Sequence, residues 1–572
     1  MLLLGVVFIL CSNLFHVYMP LIVKDAVNDF EANFDVSNWF WIAAKLGGFY
    51  ILLSLGKGVF LFFTRQTIIK VSRFIEYDMK NEIYAQYQRL DYNFYKANST
   101  GDLMNRISED VAKVRMYLGP GVMYTVNLIV LFVFILVSMF AINVELTLYT
   151  LAPLPVMSYL VYKVSDTMNR QSEKVQRSQS TIASKVQETF AGISVLKVYG
   201  GEERFQKDFD EQSETYLQKN MDLVKTNALF MPTITFLIGL STILTIYLGG
   251  ILSFEAQSTI TNGDIVAFIF YVNMLTWPFA SVGWVTSLIQ RAAASQERIN
   301  EFLNVKPAIQ VETNEHFDFK GKIEFQNVSY TFPSSGIEAI KNLSFTIEPG
   351  ETLAILGRTG SGKSTIINLL IRQFDPVTGK VLIDDKDLKS INYYSLRNQS
   401  GVVPQEVFLF SDSIRNNVLF GISNFENFKD EDLIKILQKA HVWHNIQAFP
   451  DGLDTVLGER GVNLSGGQKQ RISIARALIR EPKLLVLDDC LSAVDTETEE
   501  IILTNLKNQI KKNTTLIVSH RVSSIRNADR IIVLEDGNKI EEGTHDELLA
   551  LNGVYADMYT NQLLEKEEDL EN

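Results

Sequence analysis

Six long stretches with little or no charge fill the first 290 residues of this 572-residue chain, at 2–23, 41–63, 121–143, 145–163, 229–253 and 265–290. A helix that crosses a bilayer needs about 20 predominantly apolar residues, and each stretch approaches or exceeds that length. One such run fits a buried core helix, but six of them, including the uncharged run from Leu128 to Phe140, specify a membrane protein. No Lys or Arg precedes Lys24, so the first stretch lacks the basic leader of a signal peptide and is expected to stay as a span.

Basic residues set the orientation. The connection over 64–120 carries nine of them, from Arg65 and Lys70 to Lys113 and Arg115, and that over 164–228 is also basic-containing. By contrast, 24–40 holds only Lys24, and 144–145 and 254–264 hold no Lys or Arg. Both termini are therefore expected in the cytoplasm. The inner connections keep helical apolar spacing, as in VQRSQSTIASKVQETFAGISVLKV, so the membrane helices are expected to run on beyond the bilayer as two long hairpins.

Composition narrows the partners. With 53 Lys and Arg against 66 Asp and Glu, the net charge of −13 opposes nucleic acid binding. Cys11 and Cys490 are the only cysteines, which excludes a disulfide framework and a Cys-based zinc site.

The character changes near residue 292. Pro307 stops a helix that ends in QERINEFLNVK, and a polar linker follows. Beyond it, LAILG (353–357), KLLVL (483–487) and TTLIV (514–518) read as buried parallel strands, and Asp536-Gly537 as a hairpin turn. The expected domains are a six-helix membrane domain over 1–300, a linker over 301–322, an α/β nucleotide-binding domain over 323–560, and an acidic, solvated tail over 561–572.

Gly357, Arg358, Thr359, Gly360, Ser361, Gly362, Lys363, Ser364 and Thr365 match GxxxxGK[ST] between a strand and the helix STIINLLIRQF. Backbone N–H groups of such a loop converge on phosphate oxygens, Lys363 neutralises the β and γ phosphates, and the Ser364 hydroxyl is suited to Mg²⁺. A nucleoside triphosphate and Mg²⁺ are thus the expected ligands, and the resemblance given below implies that the nucleotide is ATP. Asp488, at the end of KLLVLDD, is a candidate for holding the metal through its water shell. Leu464, Ser465, Gly466, Gly467 and Gln468 open another helix whose N-terminus is free to meet an anion.

LSGGQ ahead of the Asp strand resembles the signature of ATP-binding cassette proteins, and the resemblance covers essentially the whole chain. It implies two nucleotide domains that sandwich ATP head to tail, the phosphate loop of one facing the signature of the other. It also implies roles: Phe332 stacking on adenine, Gln405 joining the metal site to the membrane domain, and Glu459 sensing the coupling contact. Leu491 to Asp495 would form a dimer contact, and His520 would act as a switch near the γ-phosphate. One position departs from the pattern. Asp489 stands where the family usually has Glu as general base, and a carboxylate displaced by roughly 1 Å costs about a hundredfold in rate. Two readings stay open: Asp489 works in a homodimer, or this chain supplies the slow site of a heterodimer.

The order of membrane half and cassette resembles exporter-type half-transporters. Phe94 to Arg106, leading to Asp110, resembles the first coupling region, and Gln187 to Lys197 the second, domain-crossing one. The chain begins inside its first span, without the amphipathic elbow helix usual in the family, so its start is expected upstream. The implied function is ATP-driven export by alternating access, with an ATP-gated channel or regulator, or an importer of exporter architecture, as the alternatives. The partners implied are a second half-transporter chain and the lipid bilayer. The mainly apolar, aromatic spans favour a small amphipathic or hydrophobic substrate such as a drug, lipid or peptide. Lys45 and Lys57 are candidates for function because burying a charge in the membrane is costly, with snorkelling as the competing role. Asn13, His16, Asn127, Asn273, Trp277 and Trp284 either face a cavity or pack between helices.

Overall fold

In the computed structural model the chain divides into two compact units, residues 1–88 with 100–305 and residues 89–99 with 306–572. The described residues are all except 33–38, 255–259, 311–312, 314, 334, 423–424, 426–427, 459–460, 462, 492–493, 511–512 and 572, with the side chains of 39, 42, 496, 507–510 and 565–571 also set aside. The acidity of the tail from 565 onward thus lies outside the described side chains.

Among the described residues, the first unit contains six helices long and apolar enough to cross a membrane, Leu2–Ala32, Ala43–Arg89, Thr100–Ile142, Val144–Ala191, Glu202–Ser253 and Asn262–Leu303. At 1.5 Å per residue the 52 residues of Glu202–Ser253 span about 78 Å, well over twice the hydrocarbon thickness, so these helices do extend beyond their apolar runs. The third is interrupted by π-turns at Arg106–Asp110 and Tyr117–Gly121, the second of which contains Pro120, whose ring cannot donate to the ladder.

Helix ends are set by side chains. Asn143 leaves the helical region at φ −158° and accepts from Leu146 N at 2.9 Å, ending one helix and starting the next. Thr261 and Asp264 form a capping box at the start of the sixth helix, and Lys24 closes on Asp264 at 2.6 Å. Close packing relies on small residues: a Cβ at Gly5 would stand 2.4 Å from Ile68 Cγ1. Asn13 donates to Asn127 at 2.8 Å between the first and third helices, a packing role for both. Trp277 and Trp284 are exposed on the chain.

The described residues of the second unit form ten strands: β1 (Ile323–Thr331), β2 (Glu338–Ile347), β3 (Thr352–Gly357), β4 (Thr378–Ile383), β5 (Lys386–Asp387), β6 (Ser400–Val403), β7 (Leu484–Asp488), β8 (Thr514–Ser519), β9 (Arg530–Glu535) and β10 (Asn538–Gly543). An antiparallel sheet runs β2-β1-β4-β5, and a six-stranded sheet runs β10-β9-β3-β8-β7-β6. In the larger sheet only β10 is antiparallel to its neighbour. Every residue of β3, β7 and β8 is buried, which explains the apolar runs at their centres, LAIL, LLVL and LIV. Asp536 and Gly537, at φ 47° and 80°, make the tight turn between β9 and β10. The loops after β3, β7 and β8 all leave from the carboxyl edge of the parallel strands, where open α/β sheets bind ligands.

Candidate functional site

Gly357 ends β3, and the phosphate loop then enters the helix Lys363–Leu370. Gly360 and Gly362 take φ of 87° and 99°, values that side-chain-bearing residues rarely adopt. A Cβ at Gly362 would meet Ala339 O at 2.4 Å, whereas one at Gly360 would point into open space. Glycine is therefore required at 362 by packing and at 360 by backbone conformation, and the second leaves room beside the loop.

That room is a cleft of about 580 Å³. It is lined by Phe332, Thr359, Gly360, Gly362 to Thr365, Gln405, Asp488, Asp489 and His520, residues far apart in sequence, whereas Gly357, Arg358 and Ser361 are not among its lining residues. Lys363 Nζ donates to Gly357 O at 2.6 Å and Arg358 O at 2.8 Å, which folds the ammonium back over its own loop. Burial pushes its pKa below the ordinary lysine value. Asp488 is shifted up from the usual carboxylate range, first by burial and then by the neighbouring Asp489, against a hydrogen bond from Ser364 and the charge of Lys363.

Asp489 has φ 45°, a left-handed conformation that aspartate tolerates better than most residues, and its N–H donates to Val518 O at 2.8 Å. Its carboxylate lies 2.9 Å from His520 Nδ1 through either oxygen and accepts from Gln405 Nε2 at 3.4 Å. An ionised carboxylate only accepts, so His520 is the donor in this contact, through its Nδ1–H. The shorter side chain thus gathers both neighbours the sequence associates with hydrolysis.

These residues fit a nucleotide phosphate and a divalent cation. Among the described residues the buried Ser361 Oγ has no hydrogen-bond partner and the Lys363 ammonium donates only to loop carbonyls, and Asp488 is a carboxylate whose ionisation burial opposes. A cation beside Asp488 and Ser364 would reverse that last penalty.

Ser465, Gly466, Gly467 and Gln468 are not among the residues lining the cleft. Ser465 instead caps the helix Gly466–Leu478 in a reciprocal box with Gln468. Glu459 lies outside the described residues, as do residues 492 and 493 of the LSAVD segment. In that segment Leu491 and Val494 are buried, and Asp495 accepts from Thr498 N at 2.8 Å at the start of the next helix.

Two features of the cleft escape the motifs. Asp536 and Gly537 line it, and Gly537 is stitched to Lys341 N at 2.9 Å and, through its own N–H, to Ser361 O at 3.3 Å. The sequence marks this pair as a turn but carries no sign that the turn abuts the phosphate loop. The second is an aromatic cluster beside Phe332. Tyr330 stacks on Phe374 at 4.9 Å, Phe332 meets both edge-on, and Lys96 Nζ sits 5.1 to 5.3 Å from the rings of Phe332, Tyr92 and Phe374. Lys96 belongs to the helix Tyr92–Ala97, capped by Asp91, whose second oxygen accepts from Ala308 N at 2.7 Å.

Residues 2–279 match the family described as ABC transporter transmembrane region, and residues 340–492 match the ABC transporter family. The "Probable multidrug resistance ABC transporter ATP-binding/permease protein YheI" of Bacillus subtilis is 33% identical over 565 residues, covering 98% of this chain and 95% of that protein. An ATP-dependent lipid A-core flippase of Pseudomonas fluorescens is 33% identical over 520 residues, covering 91% of this chain and 86% of its own length. A bacterial Atm1-family ABC exporter solved with ATP bound shares the fold at a TM-score of 0.81 and 24% identity, over 98% of both chains.

Proposed function

The chain belongs to the ABC transporters, and from that premise we propose that it is one half of a dimeric exporter that moves an amphipathic or hydrophobic substrate by alternating access. The family carries ATP-dependent translocase activity, in a multi-pass membrane protein with its nucleotide-binding domain in the cytoplasm. The observation that carries the proposal is the incomplete cleft: one chain presents the phosphate loop, the carboxylates and His520, but not Ser465 to Gln468. A second chain, head to tail, would add the signature helix and its N-terminal positive potential.

Within such a pair the phosphate loop and Lys363 bind and orient the triphosphate, and Phe332 supplies a face for adenine. Ser364, Asp488 and Gln405 would hold Mg²⁺, which when bound supplies positive charge to the phosphate oxygens. His520, its Nδ1 held by Asp489, lines the cleft where the γ-phosphate would sit, while Asp489 orients the attacking water. Shared contacts between one chain's loop and the other's signature exist only in the closed pair, so they bias the membrane helices toward one state. Exposed apolar side chains on the second hairpin, Phe190 and Val195, are available to transmit that bias. The substrate class follows from the apolar spans and agrees with what the relatives are named for, multidrug resistance and lipid A-core.

A mixing experiment tests the composite site. Lys363→Ala chains and Ser465→Arg chains, each inactive alone in lipid, should recover hydrolysis when co-reconstituted, because one of the two sites is then intact. Absence of recovery from an active wild-type chain would overturn the head-to-tail pairing. A second reading is favoured by Asp489: this chain as the slow-site half of a heterodimer. In that case the wild-type chain alone is inactive in the same assay, and a co-purifying, different subunit restores turnover.

A further inference from the structure

The second and third membrane helices leave a cleft of about 470 Å³ between them, lined among others by Arg65, Ile69, Lys70, Pro120, Met123 and Tyr124. Its level in the membrane follows from the sequence. The apolar run of the second span ends at Phe63 and that of the third begins at Val122, so the cleft lies where both helices leave the hydrocarbon on the cytoplasmic side. Arg65 and Ile69 are four residues apart, as are Gln66 and Lys70, so the two columns form one stripe on the helix. Met123 is buried and Ile69 partly so, giving an apolar floor, while Tyr124 is fixed edge-on against Trp284 at 5.4 Å.

The two cations are exposed and make no ion pair among the described residues. Their own helices cannot neutralise them. No Asp or Glu occurs between Asp35 and Glu76, or between Asp110 and Glu145. The nearest acids are already engaged: Glu76 by Arg73 at 2.9 Å, Lys80 at 3.1 Å and Arg115 at 3.5 Å, and Asp110 by Arg298 and Lys113. One or two turns further into the cytosol, the basic residues of these helices thus have a carboxylate partner. At the membrane boundary they have a formed cleft instead.

We propose that this cleft binds the phosphate headgroup of an anionic phospholipid of the cytoplasmic leaflet. The Arg65 guanidinium presents parallel N–H donors to the phosphate, and Lys70 adds a second charge. Ile69, Pro120 and Met123 meet the first methylenes of the acyl chains. Simple snorkelling of two long side chains would need no cavity, and a site for free phosphate would need no apolar floor. Basic recesses between membrane helices on the cytoplasmic side are suited to such headgroups, each cation contributing roughly fivefold in affinity and the pair on the order of 25-fold.

The test uses the full chain, purified from a bilayer containing equal phosphatidylglycerol and phosphatidylcholine, with retained lipid read by native mass spectrometry. The wild type should keep phosphatidylglycerol over phosphatidylcholine, and Arg65→Gln/Lys70→Gln should lose that preference by tenfold or more. The charge-keeping Arg65→Lys/Lys70→Arg chain, and Arg170→Gln as a cation elsewhere on the surface, should retain it. An unchanged melting temperature establishes that the variants fold. Should the double variant fail to fold, Arg65→Gln and Lys70→Gln singly should each lose about fivefold. Equal retention of both lipids by the wild type, or an unaltered preference in the glutamine variants, would overturn the proposal. Displacement of the lipid by inorganic phosphate as readily as by short-chain phosphatidylglycerol would also overturn it, by making the cleft a free-anion site.

Discussion

In the membrane unit the buried hydroxyls of Thr67, Thr147, Thr245 and Ser281 donate to carbonyls one turn back in their own helices, at 2.6 to 2.9 Å. The buried Asp110 is closed off by Ser295 Oγ at 2.9 Å and Arg298 Nε at 3.0 Å. The phosphate loop of the nucleotide unit and the strand end beside it treat their polar groups differently. Ser361 Oγ has no partner, Lys363 leans on loop carbonyls, and Asp488 is held where ionisation is disfavoured. Water is absent from a bilayer core, so a polar group there is satisfied within the protein. A ligand site keeps unsatisfied capacity, and stability is forgone to do so.

The contrast is broken most directly at Lys363. Lys363→Ala should lower ATP hydrolysis on the order of a hundredfold or more, as expected for removal of a preorganised charge at a transferring phosphate. It should not lower the ligand-free melting temperature, because burial already opposes the charged form. A large loss of stability would show that the loop is satisfied in the way the membrane helices are. Asp110→Ala should do the reverse. It leaves Arg298 without its main partner and should destabilise by about 2 kcal/mol, at the low end for a broken ion pair because the Arg298 side chain is 47% exposed. A double-mutant cycle with Arg298→Met in chemical denaturation measures the coupling, and a value near zero would remove the cluster from the account of membrane-unit stability.

Asp488 sharpens the comparison through pH. Its folded pKa is raised, so its protonated form contributes stability that is fully present below the ordinary carboxylate pKa and is lost as pH rises through the folded value. At neutral pH without ligand the ionised group therefore costs stability. Asp488→Asn should raise the melting temperature by about 2–4 °C there while abolishing Mg²⁺-dependent hydrolysis. The difference in melting temperature should shrink on acidification, and a constant difference across pH would exclude a titrating carboxylate as its cause.

The same contrast explains what the sequence made legible. Lipid as a solvent forces long uncharged runs, and a phosphate loop needs fixed glycine spacing, so both the spans and Gly357 to Thr365 stand out in one dimension. Asp110 is legible as the end of the first coupling-like segment, but its ion pair is not, because its partner Arg298 comes 188 residues later and leaves no local pattern. Asp536 and Gly537 announce a turn, yet their place against Ser361 follows from the order of β9 beside β3. The capping role of Ser465 is local and legible, whereas its distance from the cleft is a property of a single folded chain.

Lys96 carries the smallest expected effect and the finest distinction. Its ammonium faces the rings of Phe332, Tyr92 and Phe374, and only Phe332 among these lines the nucleotide cleft. Phe374 is fully buried, so the cluster is anchored on one side and Lys96 closes it on another, fixing the plane that Phe332 offers to adenine. A cation on an aromatic face at an exposed position contributes about 0.5–1 kcal/mol, which corresponds to roughly two- to fivefold in binding. Lys96→Met should weaken ATP binding by that factor and leave inorganic triphosphate binding unchanged, since inorganic triphosphate has no base to stack on Phe332. Calorimetric titration of both ligands separates the outcomes. Equal weakening of the two would mean that the helix Tyr92–Ala97 acts on the whole site, and Phe332 would lose its separate role as an adenine platform.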